Sequence, residues 1–110
     1  MTDPNPKVGD ILSCSWGYNT RRYVGFYKVI RVTPSGKSVT VQRLQSDCIE
    51  GHPSMGYVMP TQNPHPLDNE IHKNKRIRPY GFEGDYCFNL SNHQLVTVWD
   101  GSKQYFNRMD

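Results

Sequence analysis

An all-β fold is predicted by three features of this 110-residue sequence. Ala, the best helix former, is absent, whereas Gly occurs nine times and Pro eight times, a composition that favours strands and turns over long helices. Aromatic residues reach 12% against a hydrophobic share of only 35%, so large rings must supply much of the buried area. Finally, the apolar residues fall in short alternating runs, with no stretch of helical period.

The first run is Val8–Ser15, where Gly9-Asp10 reads as a turn feeding a strand. Tyr23–Thr33 is the strongest strand signal, with Phe26, Ile30 and Val32 expected on one face and Tyr27, Val29 and Arg31 on the other. Pro34-Ser35-Gly36-Lys37 then supplies turn chemistry, and Ser38–Leu44 alternates Val39 and Val41 against Thr40 and Gln42. Together these segments predict a β-hairpin with a half-buried face. Between Gln45 and Asn74 the pattern dissolves. Pro53, Pro60, Pro64 and Pro66 with Gly51 and Gly56 exclude a helix there and predict one long irregular loop over about 45–74, with Gly56–Met59 as a brief strand at most. Strands are expected again at Lys75–Arg78, at Tyr86–Leu90 with Tyr86, Phe88 and Leu90 on one face, at Leu95–Trp99 and at Gln104–Phe106. Five to seven short strands without a helix favour a small SH3-like barrel or a strongly bent antiparallel sheet, because closure removes exposed edges. A single domain over 1–110 is expected, with 1–7 as a loosely held tail.

No apolar run approaches the length that crosses a bilayer, and the start of the chain lacks the basic and apolar regions of a secretory signal. Three widely spaced cysteines, Cys14, Cys48 and Cys87, suggest free thiols in a reducing compartment rather than a disulfide framework. A cytoplasmic protein is therefore expected. The net charge is +3, distributed in blocks: residues 1–45 and 71–79 are basic, whereas 46–70 contain four acidic residues and no Lys or Arg.

Catalytic signals are weak. Cys48 and His52 form the only close Cys/His pair, which falls short of the two short-spaced pairs of a structural zinc site. Cys87 precedes His93 by six residues but lies inside an alternating strand, and Glu83 and Asp85 flank Gly84 in what reads as a solvated turn. No phosphate-binding loop, nucleophile elbow or zinc-protease motif occurs. The expectation is a protein without catalysis, metal, cofactor or small-molecule substrate. Binding has a better case. Arg21, Arg22 and Tyr23 lie close in sequence to Trp16, and Lys73, Lys75, Arg76 and Arg78 form a basic strip that ends in an aromatic residue. Basic groups neutralise phosphates and exposed rings stack on bases, so these residues are candidates for nucleic-acid contact. The alternative partner is a protein, met by Tyr57, Val58, Met59, Pro64 and Pro66, unless these residues simply cover one mouth of the barrel.

The strings Gly9-Asp10-Ile11, Ser15-Trp16-Gly17-Tyr18, Phe26-Tyr27-Lys28-Val29 and Trp99-Asp100-Gly101 resemble the pattern of a group of small proteins found in phages and in bacterial genomes carrying mobile elements. The resemblance covers most of the chain and is loosest over 45–74. It implies an accessory protein that works by binding, such as a host-takeover factor, an inhibitor of a defence protein or a nucleic-acid adaptor. It implies no catalytic or ligand residues. Arg21 and Arg22 stand where acidic or amide residues are commoner in the group, so that pair gives no basis for a group-wide nucleic-acid role.

Overall fold

The computed structural model describes residues 4–17, 22–52, 54–65, 71–80, 85–91 and 94–107, together with the backbone but not the side chains of Tyr18 and Arg21. Every regular element among them is a strand: β1 (Ile11–Tyr18), β2 (Arg21–Val32), β3 (Ser38–His52), β4 (Met55–Pro64), β5 (Ile71–Arg76), β6 (Arg78–Pro79), β7 (Tyr86–Ser91), β8 (Gln94–Val98) and β9 (Gln104–Asn107). All pairings are antiparallel. The fold is all-β and consistent with an SH3-like barrel carrying extra strands.

The β2–β3 hairpin is its axis, closed by Thr33, whose N–H donates to Ser38 O and whose hydroxyl accepts from Ser38 N at 3.1 Å. Each face of this hairpin contributes to a core. On one face Tyr27, Val29, Val39 and Val41 join Leu12, Cys14, Ile77, Tyr86, Phe88 and Val96 in the larger core. On the other, Phe26 and Leu44 meet Val58 and Phe106 in a smaller core, with Val24 and Trp99 packed against it. Strict alternation along β2 delivers Phe26 to one core and Tyr27 to the other.

Of two circuits through the sheet, only the smaller is closed by strand pairing throughout. The smaller runs β2–β3–β4–β9 and returns to β2 through Arg22 opposite Asn107. The larger runs from β2 through β1, β8 and β7 to β6, passes through Ile77 into β5, and returns to β3. Ile77 is buried and its N–H donates to Lys37 O at 3.0 Å, fixing the bend where the chain changes partners. At the entrance to β1, the hydroxyl of the buried Tyr86 donates to Asp10 Oδ2 at 2.7 Å. Burial first, and then the Asp10 carboxylate, push this phenol far above its ordinary range. Of the expected N-terminal tail, residues 1–3 lie outside the described residues, and Lys7 is tied to the Asp10 side chain through its N–H.

The segment expected to be one irregular loop over about 45–74 is instead largely sheet. β3 continues to His52, β4 returns along it, and β5 extends the same edge. The prolines are accommodated because they sit where the ladder is irregular. Pro64 faces Leu44 and Pro60 faces Ser46, so four residues of β4 are set against two of β3. A residue without an N–H is tolerated at such shifts. Pro53 and Pro66 lie outside the described residues. A second correction concerns β2, where Val29 faces Val41 and Arg31 faces Thr40. Ile30 is thus the extra residue of a bulge and is exposed, and Val32 packs on the larger core rather than beside Phe26.

Candidate nucleic-acid interface

The two basic segments singled out by sequence occupy opposite ends of the hairpin. Arg22 faces Gly17 and Asn107, whereas Lys75 and Arg76 face Val39 and Ser38 beside Val32. Ten residues of β2 separate these levels, about 33 Å of strand, in a molecule whose longest dimension is 42 Å. They do not converge. The Arg21 side chain lies outside the described residues.

Trp16 and Tyr23, the expected stacking platform, face one another across β1 and β2 and stack at 5.9 Å with 26° between their planes. The guanidinium of Arg43 lies 5.8 Å from the Trp16 ring centre and 6.0 Å from that of Tyr27. Both stacked rings are half-buried, and Trp16 packs on the larger core. Stacked on each other and half-buried, these rings offer a base less surface than a fully exposed ring would.

The strip in and after β5 fares differently. Simple alternation along it would put Lys73, Lys75 and Ile77 on one face, but it is broken because Lys75 faces Val39 and His72 faces Val41. The extra residue is absorbed at Asn74, which takes φ 53 and donates its N–H to Thr40 Oγ1 at 3.2 Å. His72 therefore turns inward, edge-on to Tyr27 at 5.9 Å. Lys73, Arg76 and Arg78 are exposed, Lys75 is half-buried, and Arg78 Nη2 donates to Asn89 Oδ1 at 3.3 Å. Beside them opens a cleft of about 270 Å3 lined by Ser35, Gly36 and Lys37 of the hairpin turn, by Arg76, Ile77 and Pro79, and by Pro4. Among the described residues, two cations and a hydroxyl line it, and no carboxylate does. Lys37 is not recognisable from sequence as part of the strip, because only the β3–β5 pairing brings it beside Arg76.

No family model, curated protein or solved structure matches the chain.

The residues considered for protein contact divide in the same way. Val58 belongs to the smaller core and is 6% exposed, so the expectation that it meets a partner is corrected: it holds β4 in place. Tyr57 is half-buried, edge-on to Tyr105 at 5.7 Å, with Lys103 Nζ 4.6 Å from its ring centre. Lys103 also pairs with Glu50. Met59 is half-buried and Pro64 exposed. The exposed apolar groups of this arm are instead Ile49, Met55 and Tyr105.

The chemistry weighed for catalysis finds no assembled site among the described residues. Cys48 Sγ faces the carbonyls of Glu50 and His52, and His52 Nδ1 accepts from Ser54 N at 3.0 Å, so this pair shapes the hairpin end. No group of three or more possible metal ligands occurs among the described residues. Cys14 is buried, which pushes its thiol up to about 11 against the opposing pull of Arg43. Cys87 is buried as well, and its sequence neighbour His93 lies outside the described residues. No helix among the described residues is long and apolar enough to cross a membrane.

Proposed function

We propose that this chain is a non-catalytic binding module that takes the phosphate backbone of a nucleic acid beside the bend between β5 and β6, on Lys37, Arg76 and Arg78. The observation that carries this reading is the cleft, free of carboxylates among the described residues, into which Lys37 and Arg76 converge from separate elements. Cations gathered without acidic neighbours favour a polyanion, and each neutralised phosphate releases counterions. Arg22, at the far end of the hairpin, takes no part.

Fluorescence anisotropy of a labelled oligonucleotide at several salt concentrations tests it. Three phosphate contacts on a single strand give a slope of about −2 in log K against log salt, roughly a 20-fold loss between 50 and 200 mM. Changing Lys37 and Arg76 together to Ala should flatten that slope by about 1.5, whereas Arg22→Ala should leave it unchanged. Salt-independent binding, or none at micromolar protein, defeats the reading.

A second reading, a protein-binding accessory factor directed at a host protein, is favoured by the exposure of Ile49, Met55 and Tyr105 on the β3–β4 arm and β9. Because β4 is a barrel strand, the decisive variant is Ile49→Ser with Met55→Ser, not removal of the segment. A partner captured by the native chain and lost by this variant supports the reading, and an unchanged set of captured proteins counts against it.

A further inference from the structure

Next to the cationic cleft lies a second concavity of different chemistry, a groove of about 290 Å3 lined among others by Ser13, Ser15, Thr97, Gln104 and Tyr80. Among the described residues, no Lys, Arg, Asp or Glu lines it. We propose that this groove receives an unpaired base of a single-stranded nucleic acid, with Tyr80 as the stacking surface. The proposal rests on the phosphate-binding reading above and specifies which kind of nucleic acid that site takes.

Strand register provides the first argument. Arg78 of β6 faces Cys87 of β7, Cys87 faces Thr97 of β8, and Thr97 faces Ser13 of β1. Directly opposed residues of neighbouring strands project from the same face and step by about 4.8 Å. One rung therefore runs from a guanidinium to two hydroxyls over about 14 Å. Chain continuity provides the second. Pro79 lines the cationic cleft and Tyr80 lines the groove, and consecutive Cα atoms are about 3.8 Å apart. A nucleic-acid strand crossing Arg78–Pro79 thus leaves its phosphates on the cationic side and carries a base into the groove.

The chemistry of the lining matches that division. A groove without a cation has little to offer a phosphate, but hydroxyls and an amide pair with the donors and acceptors on a base edge. Tyr80 is 49% exposed, and its N–H is tied to Asp85 O at 3.2 Å. It is available and anchored where Trp16 and Tyr23 are stacked on each other. The opposite wall is preset: Gln104 Nε2 donates to Ser102 O at 3.2 Å, and Ser102 N–H and hydroxyl both donate to Asp100 Oδ1. Bases within a duplex are stacked on their neighbours and cannot lie on Tyr80 without being extruded, at a cost.

The test compares a labelled single strand of about twelve nucleotides with its duplex by anisotropy at fixed salt, on the native chain and on Tyr80→Ala, Tyr80→Phe and Arg76→Ala. The single strand should bind about tenfold more tightly than the duplex. Tyr80→Ala should lose about tenfold on the single strand with its salt slope unchanged, Tyr80→Phe should retain most of the affinity, and Arg76→Ala should lower the slope. Because Tyr80 is half exposed, its variants should keep the native melting curve. Equal affinity for both oligonucleotides, or an indifferent Tyr80→Ala beside a sensitive Arg76→Ala, overturns the base site and leaves the phosphate reading standing. Failure of both oligonucleotides to bind is the failure of the phosphate reading itself.

Discussion

Phe26→Ala should destabilise the protein by about 3–5 kcal/mol, read as a lower urea midpoint with an unchanged slope. The smaller core has four buried residues, Phe26, Leu44, Val58 and Phe106, and the Phe26 ring meets Trp99 edge-on at 5.9 Å and 76°. Removing the largest contact from so small a set leaves a void that its neighbours cannot fill, because β2, β3, β4 and β9 are each held in register by pairing. Domains of this size are typically stable by only about 5–15 kcal/mol, so the variant loses a large share of its margin. A shift below about 1 kcal/mol would mean that the smaller barrel contributes little to the folded state. Trp99 fluorescence provides a local readout, since its packing partner is gone.

The second large effect is expected at Gly56. It faces Gly51 at the end of the β3–β4 hairpin, and a Cβ placed on it would lie 2.1 Å from the backbone oxygen of Glu50. A backbone atom cannot move aside as a side chain can, so Gly56→Ala must pry the hairpin end open, at about 2–3 kcal/mol. Gly101 provides the contrast. It takes φ +89, but a Cβ added there would meet nothing within 4 Å, so Gly101→Ala should cost only the backbone strain, about 1–2 kcal/mol. Equal losses in thermal or urea unfolding would rule out close approach as the reason for glycine at 56.

Gly56 also shows where local sequence signals stop being readable. Glycines and prolines between 45 and 74 look like interruptions when read along the chain. In the sheet Gly51 and Gly56 mark a close crossing and Pro60 and Pro64 a shifted register, and both features require knowledge of the opposing strand. The β2–β3 hairpin was legible because its β-branched and aromatic residues alternate and its turn residues are local. That each of its faces feeds a core was not, since Thr40 and Gln42 read as solvent-facing and nothing nearby announces a second core. The candidate interface divides similarly. Arg76 and Arg78 are visible as a charged strip, whereas Lys37 joins them only through tertiary pairing. Trp16 and Tyr23 lie near basic residues along the chain, but such proximity carries no information about which ring faces are free.

The shared hairpin also shapes how this chain is made. The larger core needs β8 and the closed barrel needs β9, elements drawn from residues 94–107. On a translating ribosome, Phe26 on one side and Tyr27 on the other would remain only partly covered until those residues emerge. The nascent hairpin thus carries two adhesive faces until residues 94–107 have been made, with long-range closure as the slow event.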